Sequence, residues 1–307
     1  MSGTNLVLYA SYSNTWKYGT NTKEQLEEQS NPVAADEYME PMKGKIFCPL
    51  CATPLFRSPN LTNVTANNIN AHFKHGDKNR YKESACCNWR SKNKKGLNYK
   101  TEEAVKKAIE NQDLTIVSSW KNQPPAVDEN QLIKGEYNKS AIEDEDGEDV
   151  DFPIGRHKGE TFKVLGKIST VMALCRNFPL NLTKGFYFPG SQYPRLLSEK
   201  LHSVNNLLDN IPNMETLYFA RLIDFSPLTS RNSLVFETED ECRVRLYTYK
   251  NFDERKGIDK NAVGRIILFS TLLSTRTSSP SDIDARALPW GAYSLLPVKY
   301  EKFLPNR

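Results

Sequence analysis

The sequence predicts an α+β protein with a small N-terminal domain, an acidic linker, and a C-terminal domain that combines a helix pair with a β-barrel-like sheet. Three features predict it: three segments with apolar residues at helical spacing, five short β-rich runs near the C-terminus, and a polar acidic stretch between the halves. A chain of 307 residues has the length of about two domains. The predicted bounds are residues 1 to 120, 121 to 151 and 152 to 307.

The composition predicts a cytoplasmic protein without a membrane partner. Its longest apolar runs, such as GRIILFSTLL at 264 to 273, are shorter than the roughly 18 residues that span a membrane. The N-terminal MSGTNLVLYASYS has no basic stretch before a long apolar run, so no secretion signal is expected. Cytosolic thiols stay reduced, and clustered cysteines then indicate a metal site rather than disulfides. The net charge of +4 permits a polyanionic partner without requiring one.

The first predicted element is a metal-binding turn in FCPLCATPLF, which contains Cys48 and Cys51 as a C-x-x-C pair. Zinc takes four sulfur or nitrogen ligands in a tetrahedron, and such a pair supplies two of them from one turn. A thioredoxin-like redox pair would instead begin a helix, whereas Pro54 and a non-helical TPLFRSPN follow here. The spacing therefore predicts structural Zn²⁺ in a zinc-ribbon-like domain.

The other two ligands are left open by the residues alone. The candidates are His72, His75, Cys86 and Cys87. His72 with His75 would repeat the spacing of the cysteine pair, whereas His75 with Cys86 or Cys87 would give a site of three cysteines and one histidine.

Residues 44 to 90 resemble the zinc-binding N-terminal region of the CoiA-like competence proteins of bacteria. The residues that carry the resemblance are the turn Cys48-Pro49-Leu50-Cys51, the motif His72-Phe73-Lys74-His75 and a cysteine that follows. The resemblance implies zinc ligation by Cys48, Cys51, His75 and Cys86, with His72 and Cys87 as substitutes. It also implies a role in DNA uptake, DNA processing or defence against mobile elements.

The CoiA-like group is related to nucleases, so the resemblance also implies a metal-dependent nuclease as an alternative function. A nuclease core of the restriction type needs two acidic residues at a sheet edge and a nearby lysine to hold and use Mg²⁺. Asp224 and Glu237 end β-rich runs, but neither has the required acidic and lysine spacing around it. Phosphate loops, nucleophile elbows and H-E-x-x-H motifs are also missing from the sequence. We therefore expect a binding protein rather than an enzyme.

A basic and aromatic stretch follows the predicted zinc site. Its candidate nucleic-acid contacts are Arg80, Lys82, Trp89, Arg90, Lys92, Lys94 and Lys95. Basic side chains bind phosphates and aromatic rings stack on unpaired bases, so the expected partner is nucleic acid, with DNA favoured over RNA. The alternatives are solvent-facing lysines beside a structural zinc that Trp89 covers, and a subunit that binds another protein.

A helix, a strand and the linker follow. The helix is predicted over 101 to 112, with Thr101 as its N-cap and an apolar stripe formed by Ala104, Val105, Ala108 and Ile109. LTIVSSW at 114 to 120 predicts a strand. Residues 121 to 151 combine a proline pair, few apolar residues and a dense acidic run, which predicts a flexible linker.

The C-terminal domain is predicted to begin with two helices and to continue as a sheet. The helical stripes cover 164 to 175 and 197 to 211, and the β-rich runs cover 217 to 225, 233 to 238, 242 to 249, 264 to 273 and 292 to 300. The polar segment 274 to 289 is predicted as a loop. In CRVRLYTY, residues alternate between an apolar face and a face of arginine and tyrosine. OB-type barrels bind single strands through such a face, so Arg243, Arg245 and Tyr247 are further candidate nucleic-acid contacts.

Overall fold

The chain folds as two units with separate interiors. The structure, a computed structural model, describes residues 7–60, 62–64, 70–91, 96–125, 148–153, 161–188, 190–207, 211–238, 242–276, 279–285 and 287–305. The N-terminal unit consists of Met1–Lys94 with Lys302–Pro305, and the C-terminal unit consists of Lys95–Glu301.

The division between the units differs from the predicted domain boundary at residue 120. Residues 114 to 116 pair in parallel with residues 185 to 187, which lie beyond the predicted linker. The helix and strand predicted for the N-terminal domain therefore pack in the C-terminal unit. Of the predicted linker, 126 to 147 lie outside the described residues, and 149 to 151 already belong to a strand.

The described residues of the N-terminal unit form two small sheets and one α-helix. Its elements are β1 (Ala10–Tyr12), α1 (Lys23–Gln29), β2 (Asn31–Val33), β3 (Ile46–Phe47), β4 (Leu55–Ser58) and β5 (His72–His75). One sheet has the antiparallel order β2-β1-β3, and β4 pairs with β5 in the other. Trp16, Leu26 and Phe47 form a small buried cluster. Further buried apolar side chains of this unit include Tyr9, Ile46, Leu55, Phe73 and Trp89. In a unit of this size, additional links between the elements add to the stability.

The C-terminal unit is larger and mostly β-structure. Its elements are α2 (Glu102–Glu110), β6 (Leu114–Ile116), β7 (Asp149–Pro153), β8 (Thr161–Leu165), α3 (Val171–Cys175), α4 (Phe178–Thr183), β9 (Gly185–Tyr187), β10 (Arg195–Leu196), α5 (Leu197–Lys200), β11 (Leu201–Ser203), β12 (Thr216–Pro227), β13 (Arg231–Glu237), β14 (Arg243–Tyr249), α6 (Lys250–Lys256), β15 (Ile266–Thr271), β16 (Leu273–Arg276), β17 (Ser279–Ala285), β18 (Tyr293–Leu295) and α7 (Val298–Glu301).

An eight-stranded sheet dominates the C-terminal unit. Its order is β16-β17-β14-β13-β12-β15-β18, and β11 also pairs with β12. The first half of β12 pairs with β15, whereas the second half pairs with β13 after a register shift between Leu222 and Asp224. A bulge bends its strand and increases the local twist, so the sheet curls into a half-barrel. The mixed α+β class predicted from the sequence is confirmed.

Several predicted elements are present with their expected boundaries or faces. Helix α2 starts after Thr101, whose hydroxyl accepts a hydrogen bond from the Ala104 N–H at 3.2 Å. All five predicted β-rich runs contain strands. Within β14, Val244, Leu246 and Thr248 are buried while the alternate residues are more exposed, as the alternation predicts.

The predicted helix pair is wrong. The longest helix among the described residues is α2, and the segment 164 to 175 supplies only the short α3 after the end of β8. The second segment supplies α5 and then β11, in which Leu201 pairs with Leu217. Apolar residues recur here every three or four positions because short buried strands and short buried helices follow one another. The predicted loop at 274 to 289 is also wrong, since β16 and β17 form an antiparallel pair there.

The helices of both units are short. Among the residues that the structure describes, no helix is long and apolar enough to cross a membrane.

Candidate metal centre

The C-x-x-C segment forms a tight turn directly after β3. The Cys48 N–H donates to the Thr53 carbonyl, and the Ala52 N–H donates to the Cys48 carbonyl, both at 2.8 Å. Ala52 has a φ of 56°, in the left-handed region that favours glycine. The turn thus reverses the chain between β3 and β4 and brings both cysteine thiols into one cluster.

The other two members of the cluster come from different elements. His75 ends β5, where it pairs with Leu55 at the start of β4. Cys87 follows a 3-10 helix over Lys82–Cys86, and its N–H donates to the Ser84 carbonyl at 3.2 Å. The pairing of β5 with β4 therefore places His75 next to the cysteine turn, and the short helix places Cys87 there.

Two of the distances within the cluster match the edges of a tetrahedral zinc site. Their ligand atoms all lie within 4.8 Å of one another. The Cys48 and Cys87 sulfurs are 3.8 Å apart, and the Cys51 sulfur lies 3.5 Å from His75 Nε2. A tetrahedron with Zn–S bonds of about 2.3 Å and a Zn–N bond of about 2.0 Å has S–S and S–N edges of about 3.8 and about 3.5 Å. The cluster is therefore close enough to hold a metal ion and is compatible with zinc.

The electrostatics of the cluster also favour a cation. Burial raises the pKa of the Cys48 thiol, whereas hydrogen bonds from the Cys48 and Cys87 thiols lower the pKa of Cys51. Three thiolates in such a partly buried space would repel one another. A divalent cation between them compensates the negative charge and replaces the protons of the thiols.

The ligand set differs from the predicted one at one position. Cys86, the predicted fourth ligand, is exposed, whereas Cys87 is buried and lies in the cluster. Neighbouring residues point in different directions, so only one member of the doublet can face the turn. His72 is also excluded: in β5 it lies three residues from His75, which places the two side chains on opposite faces of the strand.

The backbone next to His75 is held by a close approach of several side chains. Arg90 donates a guanidinium hydrogen bond to the Gly76 carbonyl. A Cβ on Gly76 would lie 2.6 Å from Cε2 of Tyr81 and 2.8 Å from Cε2 of Phe56. Only glycine lets both rings pack against this backbone.

The predicted nucleic-acid contacts of the N-terminal segment fall into three groups. Arg80 and Lys82 are exposed. Trp89 is only 3% exposed and packs edge-on against Tyr9, with ring centroids 5.4 Å apart, so its ring is closed to base stacking. Arg90 is half-buried and donates a hydrogen bond to the Gly76 carbonyl. Lys92, Lys94 and Lys95 lie outside the described residues.

The second predicted contact surface lies on β14. Arg243 is exposed, and Arg245 and Tyr247 are half-buried. The strand is interior to the sheet, with β13 on one side and β17 on the other. Arg245 is in parallel register with Asp284 of β17, so an acidic residue accompanies this arginine.

Sequence reasoning missed one exposed aromatic side chain near the metal centre. Phe56 in β4 is 46% exposed and stands directly opposite Lys74 of β5. The alternation Leu55-Phe56-Arg57 carried the signal, because Leu55 and Arg57 point inward and are buried.

Comparisons with known proteins do not place the chain in a family. No protein-family model matches it, and no curated protein matches it. Among solved structures, one described as a "putative aspartyl-tRNA synthetase from Leishmania major Friedlin" aligns at 14% identity with a TM-score of 0.23. The alignment covers 31% of this chain and 20% of that chain, so this chain matches only about a fifth of the other's length. Neither fold nor function follows from so partial a likeness.

Proposed function

We propose that the protein is a zinc-containing nucleic-acid-binding protein whose N-terminal unit is a zinc-ribbon-like module. The observation that carries the proposal is the convergence of Cys48, Cys51, His75 and Cys87 within 4.8 Å. Four protein ligands fill the coordination shell of zinc and leave no position for substrate, which is typical of structural rather than catalytic zinc. The metal therefore acts as a folding element.

The charge of the surrounding segment supports nucleic acid as the partner. Residues 72 to 100 contain nine Lys or Arg residues and two Asp or Glu residues, a net charge of +7 in a chain whose total is +4. Within this range, the exposed basic side chains among the described residues are Lys74, Lys78, Arg80, Lys82 and Lys100. Zinc bound by His75 and Cys87 would fix the stretch between these residues and so hold Lys78, Arg80 and Lys82 in one region, where they bind phosphates.

DNA is the favoured partner because residues 44 to 90 resemble the CoiA-like proteins. The proposed role in DNA uptake, processing or defence is based on the same resemblance. The outer face of β14, with Arg243, Arg245 and Tyr247, is a secondary candidate if the half-barrel is of the OB type. Asp284 beside Arg245 weakens its attraction for phosphate, so we assign the main contact to the N-terminal unit.

The test is a fluorescence-anisotropy titration of zinc-loaded protein with single-stranded DNA, duplex DNA and RNA at two salt concentrations. Replacing Arg80 and Lys82 by glutamate should lower affinity about tenfold or more and reduce the slope of the salt dependence by about one unit for each phosphate that is no longer bound. The matched control replaces the exposed Lys260 and Lys299 of the C-terminal unit by glutamate, with the same change in net charge. An equal fall in affinity in both double variants, or no salt-sensitive binding by the wild type, would exclude the proposal.

A further inference from the structure

The outer face of the β4–β5 pair combines an aromatic ring with cations. Leu55, Arg57 and Phe73 are buried on the inner face. Strand alternation places Phe56, Ser58, His72 and Lys74 on the other face, with Phe56 opposite Lys74 and Ser58 opposite His72. No acidic residue occurs among these four.

The phenyl ring of Phe56 lies near a second aromatic ring, which itself contacts a second cation. Phe56 and Tyr81 both approach the backbone of Gly76, as the 2.8 and 2.6 Å separations from its ideal Cβ position show. The guanidinium carbon of Arg80 lies 5.4 Å from the centroid of the Tyr81 ring. Phe56 thus has Lys74 opposite it across the strands and Tyr81 beside the same backbone, and Tyr81 in turn contacts Arg80.

The acids in this region have partners within the chain. Glu83 accepts a hydrogen bond from the Tyr18 hydroxyl at 2.6 Å, and Asp77 accepts one from the Asn79 N–H at 2.9 Å. Because the face itself carries Lys74 and Phe56 and no acid, it is suited to a ligand that offers negative charge together with flat apolar surface. Nucleic acid with unpaired bases offers both, because its phosphates pair with cations and its bases stack on aromatic rings.

We propose that Phe56 is a stacking platform for a base of single-stranded nucleic acid, with Lys74 and Arg80 binding the flanking phosphates. This inference rests on the proposed function and adds to it the strand preference and the residue that sets it. The bases of a duplex are already stacked on one another, so the Phe56 ring on the surface of the β4–β5 pair cannot reach their faces. The protein therefore prefers single strands over duplex.

The test compares wild type with Phe56→Leu and Phe56→Trp, using oligo-dT and a duplex of equal length at one salt concentration. Leucine keeps apolar volume but has no π-face, so oligo-dT affinity should fall about tenfold while duplex affinity and zinc content stay unchanged. Tryptophan should retain the affinity of the wild type. Equal oligo-dT affinity of wild type and Phe56→Leu would overturn this inference and leave the proposed function standing.

A second measurement uses the unmodified chain and does not depend on how the variants fold. Ultraviolet cross-linking of oligo-dT to zinc-loaded wild type, followed by peptide mass spectrometry, should yield an adduct on Phe56. Adducts confined to other residues would overturn the inference. Absence of any binding by the wild type would instead remove the proposed function itself, and the inference with it.

Discussion

The sulfurs of Cys48 and Cys87 lie 3.8 Å apart although 39 residues separate the two cysteines in the chain. Between them the chain forms β4, β5 and a 3-10 helix. His75 at the end of β5 and Cys87 after the 3-10 helix link these two elements to the cysteine turn through the cluster. Trp16, Leu26 and Phe47 form a buried apolar cluster against which Ala52 of the turn packs. A metal ion at this point would add folding free energy by linking segments that are distant in the chain.

Removing zinc with a chelator should unfold the N-terminal unit and leave the C-terminal unit folded. The expectation follows because structural zinc contributes folding free energy directly, while the C-terminal unit has its own extensive core. Hydrogen exchange with peptide mass spectrometry should show loss of protection in β1 to β5 and retained protection in β12 to β15. Retained protection in β4 and β5 after complete metal removal would contradict this.

Replacing Ala52 by glycine should stabilise the zinc-loaded N-terminal unit by about 0.5–1 kcal/mol. Ala52 has a φ of 56°, where a Cβ costs about 1–2 kcal/mol, although glycine loses more chain entropy on folding. The control is Ala85→Gly in the 3-10 helix, where φ is not positive and glycine should destabilise by a similar amount. Denaturant titration of both variants measures the difference in unfolding free energy, and a shared sign would contradict the argument.

Replacing Arg57 by methionine should destabilise the N-terminal unit by about 2–4 kcal/mol. The buried guanidinium donates to the carbonyls of Ala35, Pro59 and Thr62 and to the side-chain oxygen of Asn63, at 2.5 to 2.9 Å. Methionine would leave these acceptors unpaired in a buried setting. Arg57→Lys keeps the charge and some of the hydrogen bonds but cannot reach all four acceptors. Its destabilisation should therefore be smaller than that of Arg57→Met. Thermal midpoints of the zinc-loaded proteins distinguish the two, and equal stability of wild type and Arg57→Met would count against these hydrogen bonds.

Asp253 should give the C-terminal unit a defined pH dependence. Its buried carboxylate accepts hydrogen bonds from Asn232, Thr248 and Tyr293 at 2.6 to 2.7 Å. Burial raises the pKa of Asp253 above its ordinary value of 3.8, so the folded state binds the proton more tightly than the unfolded state. The contribution is full below pH 3.8 and is lost as the pH rises through the higher folded pKa.

The unfolding free energy of wild type relative to Asp253→Asn should therefore decrease as the pH rises from 3.8 through the raised pKa of Asp253. Measurement by tryptophan fluorescence in denaturant on the zinc-free chain limits the signal change to the C-terminal unit. Asp253→Ala, which leaves three buried donors unpaired, should cost about 2–4 kcal/mol. A difference between wild type and Asp253→Asn that grows with pH would reverse the assigned sign.

The residues that form the site were predictable to different degrees. Cys48 and Cys51 follow from the C-x-x-C spacing, because that spacing itself closes a tight turn. Cys87 does not follow, since Cys86 and Cys87 are equivalent in sequence and only the exit from the 3-10 helix decides which one is buried. Trp89 has the composition of a stacking residue, but its packing against Tyr9 is a contact between distant segments.

Some elements of the fold were also predictable from the sequence, and others were not. The strands of the half-barrel follow from alternation, as in β14, because one face of each is buried. The helix pair fails because apolar spacing cannot separate a helix from consecutive short buried pieces, such as α5 and β11. The pairing of β6 with β9, which places residues 114 to 116 in the C-terminal unit, has no local signal.

We expect Cys48, Cys51, His75 and Cys87 to bind one zinc ion. The most direct measurement is elemental analysis of purified wild type and of the variants Cys87→Ser and Cys86→Ser, which alter adjacent thiols. We expect one equivalent of zinc in wild type and in Cys86→Ser, and none in Cys87→Ser. Wild type without zinc, or a Cys87→Ser variant that keeps a full equivalent while Cys86→Ser loses it, would contradict the account.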